Sequence, residues 1–178
     1  MPMRTHTCGE LTKDNEGVTV ALCGWAANLR DHGGVLFIDL RDKYGHTQVT
    51  FNPVLNSELY QKARKITPES AILVTGIVRK RPQEAVKDYS TGEIEVEAKE
   101  LKIFSISDPL PFQLSEADSV EVTKRLKYRY MDIRRHNIQS CLQFRYRVIK
   151  EIRDFFDEQG FIEVETPYLT KSTPEGAR

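Results

Sequence analysis

A chain of 178 residues is long enough for one complete domain and part of another. With 39% hydrophobic residues, 29% charged residues and a net charge of zero, it has the composition of a soluble globular protein. No stretch approaches the roughly 18 apolar residues of a membrane span, and the polar start lacks the apolar core of a signal peptide, so no membrane is expected.

Cys8, Cys23 and Cys141 are odd in number and widely spaced, which fits buried or free thiols in a reducing cytoplasm. His6, His32, His46 and His136 match no ligand spacing, so no metal is expected.

From the N-terminus, Val18 to Trp25 alternates apolar and polar residues as a half-buried strand does, and Val35 to Leu40 and Thr47 to Phe51 follow as second and third strands. Gly33-Gly34 and Tyr44-Gly45 supply the turns. A short helix comes next, with Leu55, Leu59, Ala63 and Ile66 on one side. Ala71 to Arg79 and Glu93 to Phe104 return to strand character. Five strands with a helix between the third and fourth is the order of an OB-fold barrel.

Alternation decides which side chains leave such a barrel. Leu36, Ile38 and Leu40 share one face of the second strand, and Val35, Phe37 and Asp39 share the other. Val49 and Phe51 oppose Gln48 and Thr50. Arg79 and Arg81 share a side, and Glu93 and Glu95 oppose Ile94 and Val96. With the apolar sets inside, the outer surface carries Phe37, Gln48, Arg79, Arg81 and Glu95, joined by Arg30 from the turn before. An exposed aromatic stacks a base, cations neutralise phosphates, and an amide or carboxylate hydrogen-bonds the Watson–Crick edges that only unpaired bases present. The carboxylate points to reading rather than simple attraction, because it accepts from the N–H groups of guanine or cytosine.

Ser107 to Glu121 is rich in proline and acid and reads as a linker. Six basic residues then fall between Lys124 and Arg135 against one acid, Asp132. Phe144, Val148, Ile149, Ile152, Phe155 and Phe156 recur at helical spacing, which predicts an apolar stripe on a helix of about four turns. Gly160 follows as its left-handed stop. Phe161 to Val164 reads as a short strand that ends at Pro167, which cannot donate to a ladder.

The segments CGW, RDHGGVLFIDLRD, QVTFNP, VTGIVRKR, TGEIEVEAKEL, RLKYRYMDIRR and GFIEVETPYLTKSTPEGAR resemble, in order and over essentially the whole chain, the N-terminal part of a bacterial-type aspartyl-tRNA synthetase, a class II enzyme. The resemblance implies a mainly β architecture: a five-stranded OB-fold barrel with an inserted helix for anticodon binding (1–106), a linker or hinge (107–140), and the first helix and strand of an α+β catalytic domain (141–178). It implies anticodon contacts by Arg30, Phe37, Gln48, Arg79, Arg81 and Glu95, with Phe37 stacking a base and Glu95 accepting from a guanine-type first base. Thr50 departs from the family pattern, which has a second aromatic there, and Ala85 stands where an asparagine could reach the first base.

His32 resembles the residue of relaxed enzymes that charge both tRNA-Asp and tRNA-Asn. The helix and Pro167 resemble motif 1, which builds the homodimer in that family, so Phe155, Phe156 and Pro167 are expected at the dimer interface. Glu175 of TPEGAR matches a position that holds L-aspartate. ATP and Mg²⁺ serve the full enzyme, whose motifs 2 and 3 are absent from these residues, so the chain alone is expected to be inactive. Two other classes fit part of the pattern. A stand-alone single-strand-binding OB protein explains the barrel but not the motif 1 helix, and asparaginyl- or lysyl-tRNA synthetases share the architecture.

Overall fold

The computed structural model describes residues 3–169. Contacts divide the chain into two compact units, Met1–Glu121 and Val122–Arg178.

The first unit is a closed barrel in the order β1-β2-β3-β5-β4. β1 (Thr19–His32) pairs antiparallel with β2 (Val35–Arg41) and with β4 (Ala71–Lys80), and β2 pairs antiparallel with β3 (His46–Phe51). β3 runs parallel to β5 (Ile94–Ser105) with Val49 opposite Val96, and β4 and β5 close antiparallel. This is the OB-fold. The inward set comprises Leu22, Ile38, Leu40, Val49, Phe51, Ile72, Val74, Val78, Ile94 and Val96, all buried. Closure removes the sheet edges that would otherwise invite pairing with other chains.

β1 runs well beyond the Val18–Trp25 read from alternation, and a register shift between Ala26 and Asn28 explains why. The bulge at Ala27 breaks the period of two, so alternation stops at a residue where the strand does not. Arg30 and His32 therefore stand on a strand rather than in a turn. Gly33 and Gly34, with φ of +62° and +80°, make the two-residue connection to β2 that other residues resist. Gly76 is required for a different reason: a Cβ there would lie 2.4 Å from the Glu97 carbonyl oxygen across the β4–β5 ladder.

Helix α1 (Ser57–Ala63) is capped by the Asn56 side chain, which accepts from the Leu59 N–H at 2.9 Å, and plugs the barrel with Tyr60 and Ala63. Leu55, expected on its apolar side, precedes the cap and is 60% exposed. Residues 107–121 pack within the first unit. Phe112 and Ala117 are buried, and Ser107 is tied down by the Ser70 and Thr67 hydroxyls at 3.1 and 2.8 Å.

In the second unit α2 (Val122–Lys127) and α3 (Arg129–Asp132) lead into α4 (His136–Glu158). The buried Asp132 carboxylate accepts from Arg129 at 2.7 Å and from Arg135 at 2.8 Å, which fixes the turn into α4. Gly160, at φ +80°, ends the helix, and the Phe161 N–H reaches back to the Phe156 carbonyl at 3.0 Å, a Schellman closure. Phe161–Val164 forms no strand among the described residues. An extended segment becomes a strand only when a neighbour takes its N–H and C=O groups, and this one finds none there.

Candidate nucleic-acid interface

On the outer face of the barrel, β1, β2, β3 and β5 bring one polar ladder together. Arg30 lies opposite Phe37, and Asp39 lies between Asn28 and Gln48 in register. The Arg30 guanidinium grips the Asp39 carboxylate with both Nη atoms, at 3.0 and 2.8 Å, and Asn28 adds a third bond at 3.2 Å. Arg30 also donates to Gln48 Oε1 at 3.2 Å, and Gln48 Nε2 donates to Glu95 Oε2 at 2.7 Å. The amide of Gln48 is thus oriented from both ends, and Glu95 keeps Oε1 for another donor. Phe37 stands half-buried beside the ladder with Thr50 opposite it. Arg79 lies across from Glu95 but donates to Glu97 at 3.3 Å. The Glu97 carboxyl is held below the usual range, first by a hydrogen bond from Lys99 and then by Arg79.

Four of the six expected side chains, Arg30, Phe37, Gln48 and Glu95, therefore adjoin on one surface, with Arg79 exposed at its margin. Arg81 is a correction. It is only 6% exposed, because the β4–β5 loop folds back over it: Nε donates to the Ile94 carbonyl at 2.7 Å and Nη2 to the Tyr89 hydroxyl at 2.9 Å. Tyr89 in turn lies 4.2 Å, centroid to centroid, from the His46 ring. His32 is exposed at the end of β1, and Pro167 is exposed beyond α4. Phe155 and Phe156 stand exposed on α4, in edge-to-face contact at 5.5 Å. Glu175 lies outside the described residues.

Asp39 is the member of the ladder that alternation placed on the outer face without marking. It is nearly buried, and it aims Arg30. The signal was the acid two residues after Phe37 in RDHGGVLFIDLRD, a carboxylate within a strand that is otherwise apolar up to its terminal Arg41.

The barrel with this face is joined to a second unit of separate sequence character, and the two units match different families. Residues 20–104 match the family of OB-fold nucleic acid binding domains, and residues 121–178 match the class II tRNA synthetases (D, K and N). The chain is 53% identical over 177 residues to the aspartate–tRNA(Asp/Asn) ligase of Thermotoga maritima, covering 99% of this chain and 30% of that relative. It is 49% identical over 176 residues to the ligase of the same name from Thermodesulfovibrio yellowstonii, again over 30% of the relative's length. Among solved structures, a putative aspartyl-tRNA synthetase from Leishmania major Friedlin superposes with a TM-score of 0.81 at 26% identity, over 92% of this chain and 35% of that one. Asparaginyl-tRNA synthetase from Pyrococcus horikoshii has the same fold, with a TM-score of 0.81 at 24% identity over 95% of this chain and 39% of that one. The chain is thus homologous along nearly its whole length to the aspartate–tRNA(Asp/Asn) ligases, and it spans about 30% of the length of the curated relatives it matches.

Proposed function

We propose that the protein to which this chain belongs is an aspartate–tRNA ligase, making aspartyl-tRNA, AMP and diphosphate from ATP, L-aspartate and tRNA-Asp, and that this chain supplies its anticodon reader and motif 1. The supporting observation is the ladder from Asn28 through Arg30, Asp39 and Gln48 to Glu95, set beside Phe37. Arg30 is matched by Asp39 and Arg79 by Glu97, so the face offers aimed donors and acceptors rather than net positive charge. A non-specific single-strand binder relies on a basic groove that tracks phosphates; this face is built to tell bases apart. Phe37 stacks one base, Arg30 and Gln48 read its neighbours, and Glu95 Oε1 accepts from a guanine N–H. Arg79 borders the site, and Arg81 serves it by fixing the loop that carries Tyr89.

In this scheme residues 1–106 are the anticodon-binding domain, 107–140 the connection to the catalytic domain, its first part to residue 121 packed within the first unit, and 141–178 the start of the catalytic domain. Phe155, Phe156 and Pro167 lie at the interface of a cytoplasmic homodimer, and Glu175 holds L-aspartate. The described residues contain no group of three or more His, Cys, Asp or Glu that could hold a metal ion. ATP and Mg²⁺ serve the full-length enzyme, and this chain, which carries motif 1 only, forms no aspartyl-adenylate by itself. The exposed His32, together with relatives whose names specify both tRNA(Asp) and tRNA(Asn), supports charging of tRNA-Asn as well.

Binding of the chain to anticodon stem-loops of tRNA-Asp, tRNA-Asn and tRNA-Lys, followed by fluorescence anisotropy, tests the proposal. The first two bind and the third binds more weakly. Phe37→Ala weakens binding by about 1–3 kcal/mol while leaving the melting temperature in place. Unchanged affinity in a folded variant would refute the stacking role.

A further inference from the structure

The outer face continues past the reading ladder. Beside the bulge of β1, and at the ends of β2 and β3 away from the Gly33–Gly34 hairpin, a pocket of about 230 Å³ is lined by Asn28, Asp39, Arg41 and His46 from the strands, Glu69 from the turn before β4, and Gln113 from the segment after β5. Two departures from regular backbone meet there. Ala27, also on its wall, is the bulged residue of β1, and Glu69 is the one non-glycine residue at positive φ (+67°) among the described residues. Strain of this kind persists where surrounding structure holds it, and here the Glu69 N–H is pinned to the Ala26 carbonyl at 2.7 Å and its carboxylate to Arg41 at 2.8 Å.

We propose that this pocket is a second base-binding site, taking one unpaired nucleobase that flanks the anticodon triplet in the same RNA loop. The inference rests on the anticodon-reading assignment above.

Charge selects the ligand. The carboxylates of Asp39 and Glu69 line the pocket and are each matched by an arginine, so nothing there favours a phosphate, whereas a neutral polar heterocycle meets no penalty. The pocket offers such a ring both donors and acceptors. Arg41 gives one N–H to Glu69 and has others to give, in the fork geometry that suits a purine edge. His46 packs against Tyr89, and its ring nitrogens have no hydrogen-bond partner among the described residues. Burial lowers the His46 pKa, so the ring is neutral near pH 7 and carries one donor and one acceptor. The Leu110 and Leu114 side chains supply the apolar wall. Continuity fixes the source: Asn28 and Asp39 belong both to the pocket and to the ladder, so a base seated here neighbours the bases read by Arg30 and Gln48.

The test uses the whole chain and anticodon stem-loop RNAs in which each loop nucleotide flanking the triplet is made abasic in turn, with affinity read by anisotropy. One abasic RNA binds wild type about tenfold more weakly than the intact loop. His46→Ala loses a similar factor on the intact loop and nothing further on that abasic RNA. Gln113→Ala, at an exposed position, loses less but shows the same lack of further effect, which covers the case of a misfolded His46 variant. Factors that multiply, or no sensitivity to any flanking base, overturn the pocket. Phe37→Ala is measured in parallel. If it weakens binding while flanking bases are without effect, only the pocket assignment fails; if it too is without effect, the anticodon reading has failed first.

Discussion

In the barrel, Phe51 is 1% exposed and sits among Ile38, Leu40, Val49 and Ile72; on α4, Phe155 is 59% exposed and no residue of the helix is buried. The two regions use the same apolar side chains in opposite ways. The barrel closes on its own core and satisfies its polar groups internally: the Asp42 carboxylate alone accepts from Arg4 and from the backbone N–H groups of Cys8, Tyr44 and Gly45. Among the described residues, ion pairs on helix α4 are local, Lys150 with Asp154 and Arg153 with Glu163, and exposed pairs of that kind contribute at most about 1 kcal/mol each. A barrel that needs nothing further to bury its core can spend its outer face on ligands. A helix with Phe144, Val148, Ile152, Phe155 and Phe156 exposed along one stripe instead presents an apolar surface of the kind found at protein–protein contacts.

The largest expected effect separates the regions directly. The single tryptophan, Trp25, lies in β1, so its fluorescence follows unfolding of the barrel. Phe51→Ala lowers the stability seen by Trp25 in urea by about 3–5 kcal/mol, through lost transfer energy and the cavity left behind. Phe155→Ala leaves that transition in place and instead weakens concentration-dependent self-association, measured by light scattering. Equal destabilisation by the two variants would mean that α4 is packed and the contrast is wrong.

A smaller effect concerns the face itself. Asp39→Asn keeps the shape but withdraws the charge that orients Arg30, and binding to the anticodon loop weakens by about 1–2 kcal/mol. Because Arg30 is half exposed, the cost to folding is below about 1 kcal/mol. A loss of stability as large as the loss of binding would make Asp39 a folding residue and not one that aims Arg30.

Period and type carried most of the barrel: the five strands, the helix between the third and fourth, and the outward placement of Phe37, Gln48 and Glu95 all follow from alternation. Alternation failed at Ala27, because a bulge changes the phase without changing composition, and so β1 was cut short and Arg30 placed in a turn. It misjudged Arg81 for a different reason. Facing out of the sheet does not mean facing solvent when a following loop, here the one bearing Tyr89, folds back over the side chain. The pocket beside His46 was not readable at all, since it joins β1, β2 and β3 to Glu69 and Gln113, and no local pattern reports that adjacency. In the second unit, helical period found the stripe on α4 and Gly160 marked its end, but the strand expected at Phe161–Val164 depends on a neighbour that local sequence does not specify.

The smallest effect is one that only the barrel can produce. Burial is the main cause that lowers the His46 pKa in the folded chain, with Asp39 opposing it. In the unfolded chain the imidazole takes a proton near its ordinary pKa of about 6.5, while in the barrel it resists until the pH is lower. Between those two values the unfolded state binds more protons than the folded one, so stability rises with pH. The His46 contribution is complete above about pH 6.5 and is lost as the pH falls through the folded value. The lowered carboxyls of Glu10 and Glu97 act in the same direction but only near and below their ordinary carboxylate range, so a series of urea transitions kept above about pH 5 isolates the imidazole. Followed by Trp25 fluorescence, the wild-type midpoint declines across that series, and in His46→Gln the decline flattens. An equal slope in both proteins would place the titrating group elsewhere and leave His46 solvated, which would also weaken the case for its ring as a wall of the pocket.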